Sequence, residues 1–257
     1  MVKILKRKNV ARGMHKMNFI KLKKCPYCKN ESFDTLTNTS VNFIWKGICN
    51  SFIPEFKSSY DYLVHCKECD CIFKHTIPTI DFLNKIYSSE YVDQPAGLTR
   101  FKSLFIKNVF DSSVLEVGGG RVGIREICNA DYYNLDPNSK YIPEQITGWN
   151  IEKLNFDDLD YLKTIRVQNI VACDVIEHLS EPSKLFELAS FVLPVSGKLF
   201  LHVGQSHLNT VEHIQIQTLH LSSASKNTIK FMAKKYGFKI MNEQTKHETA
   251  FVLKRIS

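Results

Sequence analysis

Two groups of residues in this 257-residue chain are spaced for chemistry. The first is a set of four thiols in two hooks, CPYC (Cys25, Cys28) and CKEC (Cys66, Cys69). Each hook puts two sulfurs on one tight turn. Two hooks facing each other complete a closed tetrahedral thiolate site, the arrangement a structural zinc ion prefers. Cys71 is close enough to replace Cys69 as a ligand. The competing chemistry is dithiol redox exchange through CPYC, with Thr76-Ile77-Pro78 downstream. A redox hook should follow a strand and open a helix, whereas KNESFDTLTNTS after Cys28 is turn-rich, and the second hook would be left without a role.

The second group is VLEVGGGRVGI, residues 114–124, where Glu116 stands two positions ahead of Gly118, Gly119 and Gly120. Bare backbone between a strand and a helix lets a ligand approach the helix N-terminus, and Gly118, Gly120 and Gly123 spell GxGxxG. In a dinucleotide site that turn holds a pyrophosphate, which a carboxylate at the strand end would repel. An acid there suits a ligand bearing an ammonium and a sulfonium, so Glu116 points to S-adenosylmethionine (SAM). Downstream residues agree. Asp136 lies about twenty residues on, where an acid accepts ribose hydroxyls. Asn150 and Ile151 offer an amide and an apolar face to adenine, and Asp174, after the next apolar strand, joins the cofactor set.

The elements that must position these residues follow from hydrophobic period. After the hooks, IDFLNKIYSSEYV and PAGLTRFKSLFIKNVF read as helices. From Ser113 strands and helices alternate: Val114–Val117, YYNL, ITGWNI, the buried run NIVACDV and GKLFLHV as strands, with GRVGIREICNA and SEPSKLFELASFVLP as helices. Ser180 is the expected cap of the latter, and Leu185, Leu188, Ala189 and Val192 its inward face. TIKFMAKKYG is a helix stopped by Gly237, before a closing hairpin of FKIMNE and ETAFVLKRI. The expected fold is α/β: a doubly wound, mostly parallel seven-stranded sheet with an antiparallel last strand, plus a small N-terminal zinc-binding β module. The expected divisions are a basic arm over 1–24, partly disordered and solvated, a zinc-ribbon-like module with its connecting helix over 25–95, and the cofactor domain over 96–257.

EVGGG, NLD, WNIEKLNF and DVIEHL stand in the order and spacing of the class I SAM-dependent methyltransferases, and the chain resembles that family over about residues 96–257. HLSSASKNTIKFMAKKYGF is similar to the family segment in which a histidine and a serine-capped helix lead to a Gly-Phe pair. Val122 displaces the usual third glycine, and Asn150 stands where an acid is common. The four-cysteine module resembles that of zinc-ribbon methyltransferases of small-molecule pathways, including those acting on nucleotide-linked sugars, although the chain ends after the expected seventh strand. The alternatives are an RNA methyltransferase, since some rRNA guanine methyltransferases carry an N-terminal zinc module with closer hooks, and a zinc-organised scaffold with a vestigial cofactor site. DVIEHL is also similar to the metal-holding carboxylate-x-x-Glu-His of ubiquinone-pathway and small-RNA 2′-O-methyltransferases, which would use Asp174, Glu177 and His178.

Composition bounds these readings. The chain is 44% apolar, with a net charge of +8. Nine Lys or Arg and no acid fall in residues 1–24, which leaves the remainder near −1. A nucleic-acid-binding body would itself be basic, so nucleic acid is the lesser partner and a small-molecule acceptor the greater. No run approaches the roughly eighteen apolar residues of a membrane helix, and the basic start leads into no signal-like apolar stretch. A cytosolic chain is expected, and in that compartment cysteines argue for metal or chance rather than disulfides. Cys49, Cys128 and Cys173 read as ordinary small residues, the last two buried. His202, His207, His213 and His220 cluster near the loop after the fifth strand, and His178 follows the fourth. Imidazole titrates where an acceptor proton must be taken. His220, which matches the histidine of the family segment it resembles, is the expected base or acceptor-orienting group, and His178 the second choice.

Overall fold

A computed structural model describes residues 18–36, 62–89, 112–119, 124, 131–136, 164, 166–203, 219–244 and 249–257. The N-terminal part is built on short antiparallel pairs. Strand β1 (Phe19–Lys21), the end of the basic arm, pairs with β5 (Thr76–Pro78), while β2 (Asp34–Leu36), β3 (Leu63–Cys66) and β4 (Cys71–Lys74) form a meander. The second cysteine hook is the β3–β4 turn, with Cys66 opposite Cys71. Cys28 is followed by turn and strand rather than helix, as the metal reading of CPYC requires. Helix α1 (Ile80–Ser89) buries Phe82, Leu83 and Ile86 against Ile77, Leu219 and Leu221.

The second part is a six-stranded sheet. Its strands are β6 (Val114–Val117), β7 (Tyr132–Leu135), β8 (Asn169–Cys173), β9 (Lys198–Val203), β11 (Phe238–Gln244) and β12 (Thr249–Arg255). They lie in the order β7-β6-β8-β9-β12-β11, parallel up to β9, with β12 antiparallel to both neighbours. The mostly parallel sheet and the antiparallel last strand are as expected. The expected strand ITGWNI, the helices GRVGIREICNA and PAGLTRFKSLFIKNVF, and Cys49 and Cys128 lie outside the described residues, apart from Ile124.

The period-2 alternation of the strands sorts side chains onto two faces. Leu115, Val117, Ile170, Ala172, Leu199 and Leu201 pack with helices α2 (Ser183–Val192) and α3 (Lys226–Lys235), whereas Val114, Val171 and Phe200 pack with Ile124. The inward face of α2 is as expected, but its cap is not. The helix begins after Pro182 with no side-chain cap, because a proline sits readily at a helix start where its missing N–H costs nothing. Helix α3 carries the expected serine cap: Ser225 Oγ accepts from Thr228 N, and Thr228 Oγ1 accepts from Ser225 N at 3.0 Å. It ends at Gly237, whose φ of 74° suits glycine.

The two parts share one core. Strand β10 (Ser222–Ser223), from the C-terminal half of the chain, pairs antiparallel with β4, placing Ser222 opposite Phe73 and Ser223 opposite Ile72. Lys74 N donates to Leu221 O at 2.9 Å, and the buried Tyr27 Oη meets Ser222 Oγ at 3.1 Å. Cys25, Tyr27, Cys66 and Phe73 belong to the same apolar cluster as Leu188, Ile229 and Leu201.

Candidate functional site

The cysteine hooks meet as their spacing requires. Cys25, Cys28, Cys66 and Cys69 place their sulfurs within 4.8 Å of one another, with 3.5 Å separating Cys25 from Cys69 and Cys28 from Cys66. A tetrahedron of thiolates each roughly 2.3 Å from zinc has sulfurs about 3.8 Å apart, so the group fits that ion. Cys71 is a fifth thiol, 3.3 Å from Cys25 and 3.6 Å from Cys69. Packed this closely, the thiols push one another apart in acidity: hydrogen bonds from Cys69 and Cys71 hold Cys25 well below the usual thiol range, and the Cys25 contact pushes Cys69 above it.

The residue after each hook is bent the same way. Lys29 and Asp70 have φ of 67° and 62°, and their amides donate back to Cys25 O and Cys66 O at 3.0 and 2.8 Å. A left-handed non-glycine residue costs on the order of 1 kcal/mol, and here it recurs at both hooks. Both residues also grip the second part of the chain, Lys29 through Glu181 at 3.1 Å and Asp70 through Asn227 at 3.1 Å. Burial opposes ionisation of Asp70, but hydrogen bonds from His65, Ser225 and Asn227 prevail and hold its carboxyl below the usual range.

The glycine loop is built around Glu116. A β carbon on Gly118 would lie 2.6 Å from Val175 Cγ2, at a φ of 71°. One on Gly119 would lie 2.8 Å from Glu116 Oε2 and 2.9 Å from Asn134 Oδ1. Gly118 N donates to Leu135 O at 2.8 Å and Gly119 N to Asn134 Oδ1 at 3.2 Å, so the loop is tied to β7. Glu116 is 3% exposed; its Oε2 accepts from Ile124 N at 2.9 Å and from Tyr132 Oη. Burial pushes its carboxyl up to about 7 against the pull of those bonds, with Asp136 adding to the rise. Asp136 is itself buried just past β7. The role of Asn134 and Tyr132 as supports was missed in the sequence, where YYNL showed only a strand. Gly120, Asn150 and Ile151 lie outside the described residues.

Asp174, at φ 54°, sends Oδ1 to His202 Nδ1 at 2.9 Å, while its amide donates to His202 O. Beside it the chain turns through a single 3-10 turn, Ile176–His178. There Glu177, His178 and His220 have potential ligand atoms within 4.8 Å of one another, and the two imidazoles meet edge to face with centroids 4.8 Å apart. Leu221 N donates to Glu177 O at 2.7 Å, which clamps the His220 segment onto that turn. Both expected base histidines are therefore together, and His220, rather than Asp174, completes the Glu177–His178 group. Cys173, expected to be buried, is partly exposed because it ends β8. His207 and His213 lie outside the described residues.

No family model and no curated protein matches the chain. Solved structures of similar shape include SAM-dependent methyltransferases. One from Archaeoglobus fulgidus is 19% identical at a TM-score of 0.45, covering 61% of this chain and 92% of that one. The 1,6-didemethyltoxoflavin-N1-methyltransferase of Burkholderia thailandensis, solved with S-adenosylhomocysteine, is 10% identical at 0.45, covering 60% and 75%. Magnesium protoporphyrin IX methyltransferase from Synechocystis, with bound SAM, is 13% identical at 0.39, covering 58% and 72%. At these scores the likeness decides nothing about chemistry, and the reading of the site rests on the chain's own residues.

Elemental analysis of the purified full chain should find about one zinc per molecule, and stripping it should remove stability on the order of 10 kcal/mol from the module. Metal-free folded protein with four freely titrating hook thiols would contradict this.

Glu116 makes a pH prediction whose sign is fixed by burial. Its folded-state value of about 7 lies above the model-compound 4.5, so the folded chain holds the proton more tightly between those values. Its contribution to stability is therefore lost as pH rises through that window, on the order of 3 kcal/mol in full. Urea unfolding should show Glu116→Gln gaining on wild type by up to that amount between pH 4.5 and pH 8. A difference independent of pH would show that the carboxyl is not desolvated.

Proposed function

We propose that the chain is a SAM-dependent methyltransferase acting on a small molecule, with a structural zinc ion in its cysteine module. The observation that carries this reading is the loop at the end of β6. Gly118 and Gly119 can carry no side chain there, and buried carboxylates, Glu116 and Asp136, stand on and just past adjacent strands. These glycines let Val175, Glu116 and Asn134 pack close to the strand end, and the acids gathered there favour a cationic ligand with hydroxyls to bind. In this reading SAM lies over Gly118–Gly120, with its amino-acid end near Glu116, its ribose on Asp136 and its adenine beside Asn150 and Ile151. Asp174 flanks the methionine end. Bound there, SAM supplies an electrophilic methyl group and leaves as S-adenosylhomocysteine.

The chain's own work is then alignment and proton removal. The acceptor's lone pair must approach in line with the carbon–sulfur bond, and a hydroxyl or ammonium acceptor gives up a proton to a neighbouring imidazole. His220 is the proposed base and His178 the second candidate. A nucleotide-linked sugar or a related biosynthetic intermediate is the acceptor class suggested by the cysteine module, and the near-neutral charge of residues 25–257 weighs against RNA.

A second reading has its own observation, the mutual approach of Glu177, His178 and His220 within 4.8 Å. One carboxylate and two imidazoles suit a divalent cation, and in that case they would lower the acceptor's proton affinity through the ion rather than by acting as bases. Added Mg²⁺ or Mn²⁺ then raises turnover and a chelator too weak to strip the thiolate zinc abolishes it, whereas the base reading predicts indifference to both.

The test uses labelled SAM with nucleotide-sugars, quinone precursors and rRNA as acceptors. With the true acceptor, His220→Ala should keep SAM affinity and lose roughly a hundredfold or more in turnover. Asp136→Ala should weaken SAM at least about tenfold, since each hydrogen bond to a charged group is worth about 1.5–3 kcal/mol. Unchanged SAM affinity in folded Asp136→Ala would refute the cofactor placement, and wild-type turnover in His220→Ala would reduce His220 to a structural residue.

A further inference from the structure

We propose that Cys71 is a reserve ligand of the cysteine site, which takes the place of Cys28 when that sulfur is lost. This rests on the structural zinc of the proposed function and extends that reading to the fifth thiol. A tetrahedral ion uses four sulfurs, and five meet at the hooks.

Cys71 opens β4 directly opposite Cys66 on β3, and it is fully buried. Its Sγ lies 3.3 Å from Cys25 and 3.6 Å from Cys69, and it is also hydrogen bonded to Cys66. Those three thiols and Cys28 form the group whose sulfurs all lie within 4.8 Å of one another. Cys71 stands outside that group, so the sulfur it does not reach is Cys28. Cys25, Cys66 and Cys69 are therefore a shared triangle, with Cys28 over one side and Cys71 over the other. The two apices differ in exposure. Cys28 is partly exposed, whereas Cys71 and all three sulfurs of the triangle are buried.

A four-coordinate ion on that triangle can take its last bond from either side. For bonds of roughly 2.3 Å the centre of a tetrahedron lies about 0.8 Å from each face, so a change of apex needs a shift of only about 1.5 Å. The metal–sulfur bond to Cys28 breaks and one to Cys71 forms, while the Cys71 proton passes to the released Cys28 sulfur. Four thiolates still surround the ion, so the charge held in the module is unchanged. An electrophile arriving from solvent meets Cys28 first, because it is the exposed ligand. The sequence alone suggested Cys71 in place of Cys69, and the sulfur positions favour Cys28 instead. With Cys69 gone, Cys28 and Cys71 would have to share one tetrahedron, yet they stand farther apart than the 4.8 Å that encloses the group.

Cobalt(II) loaded into the full chain in place of zinc counts the thiolates, because each one adds to the sulfur-to-metal charge-transfer band. Wild type, Cys28→Ser and Cys71→Ser should each show the four-thiolate spectrum. The double variant Cys28→Ser with Cys71→Ser, and the single variant Cys69→Ser, should show three thiolates, with the band lower by about a quarter. A three-thiolate spectrum in Cys28→Ser, or a four-thiolate one in Cys69→Ser, overturns the proposal. The wild-type chain decides even if these variants fold poorly. Addition of a maleimide joins the Cys28 sulfur to one alkene carbon and places a proton on the other, and peptide mass locates the adduct. Cobalt-loaded wild type modified at Cys28 should keep four thiolates and Cys71→Ser modified there only three, whereas three in the modified wild type overturns the proposal. A wild-type chain with no cobalt–thiolate band overturns the zinc reading itself, and the reserve ligand with it.

Discussion

Ser222 and Ser223 pair with Phe73 and Ile72, and most of what the two halves of the chain do together depends on those two rungs. Strand β4 is positioned by the cysteine cluster, because Cys71 opens it and Cys66 and Cys69 form the turn before it. Strand β10 begins two residues after His220, and the intervening Leu221 is bonded to both Lys74 and Glu177. A continuous run of backbone bonds therefore joins the thiol turn to the segment that carries His220. The cysteine module shares a sheet and a core with the second half of the chain rather than standing apart from it.

Three of the five left-handed non-glycine residues among the described residues lie at hook turns or at the β8 end. Lys29 and Asp70 adopt left-handed conformations immediately after the hooks, and each reaches the second half of the chain with a charged side chain. Asp174 adopts one at the end of β8 and engages His202. Backbone strain of this kind persists where surrounding contacts over-determine it. Here those contacts are the hook turns, the α3 N-terminus and the β8–β9 strand ends. Asp70 beside the first turn of α3 also places a carboxylate where the helix dipole favours one.

Much of this was legible in the sequence because the signals were local. The two CxxC spacings predicted four converging thiols. Apolar runs such as NIVAC could only be buried parallel strands, and Ser225 and Gly237 bracketed α3 through cap and stop chemistry. The choice of His220 followed from a family segment rather than from period, and its contact with His178 was not foreseen. What stayed hidden was non-local. Nothing in HLSS announced that its serines would complete the module's sheet, since two residues are too few to show alternation. Tyr132 and Asn134 looked like strand residues, because their partners lie 16 and 15 residues away. The cap of α2 was misplaced because Ser180 and Pro182 are both good helix-start residues, and the proline won.

Glu116 ties the fold to the proposed chemistry. A carboxyl that costs stability when ionised is kept on β6 beside Gly118 and Gly119, and in the proposed function a cationic ligand would offset that cost on binding. Calorimetric titration of the full, zinc-loaded chain with SAM at pH 6 and pH 8 tests this most directly. The account predicts one SAM per chain, bound more tightly at pH 8, with proton release at pH 6 that disappears in Glu116→Gln. A folded, zinc-loaded protein that takes up no SAM at either pH would contradict it.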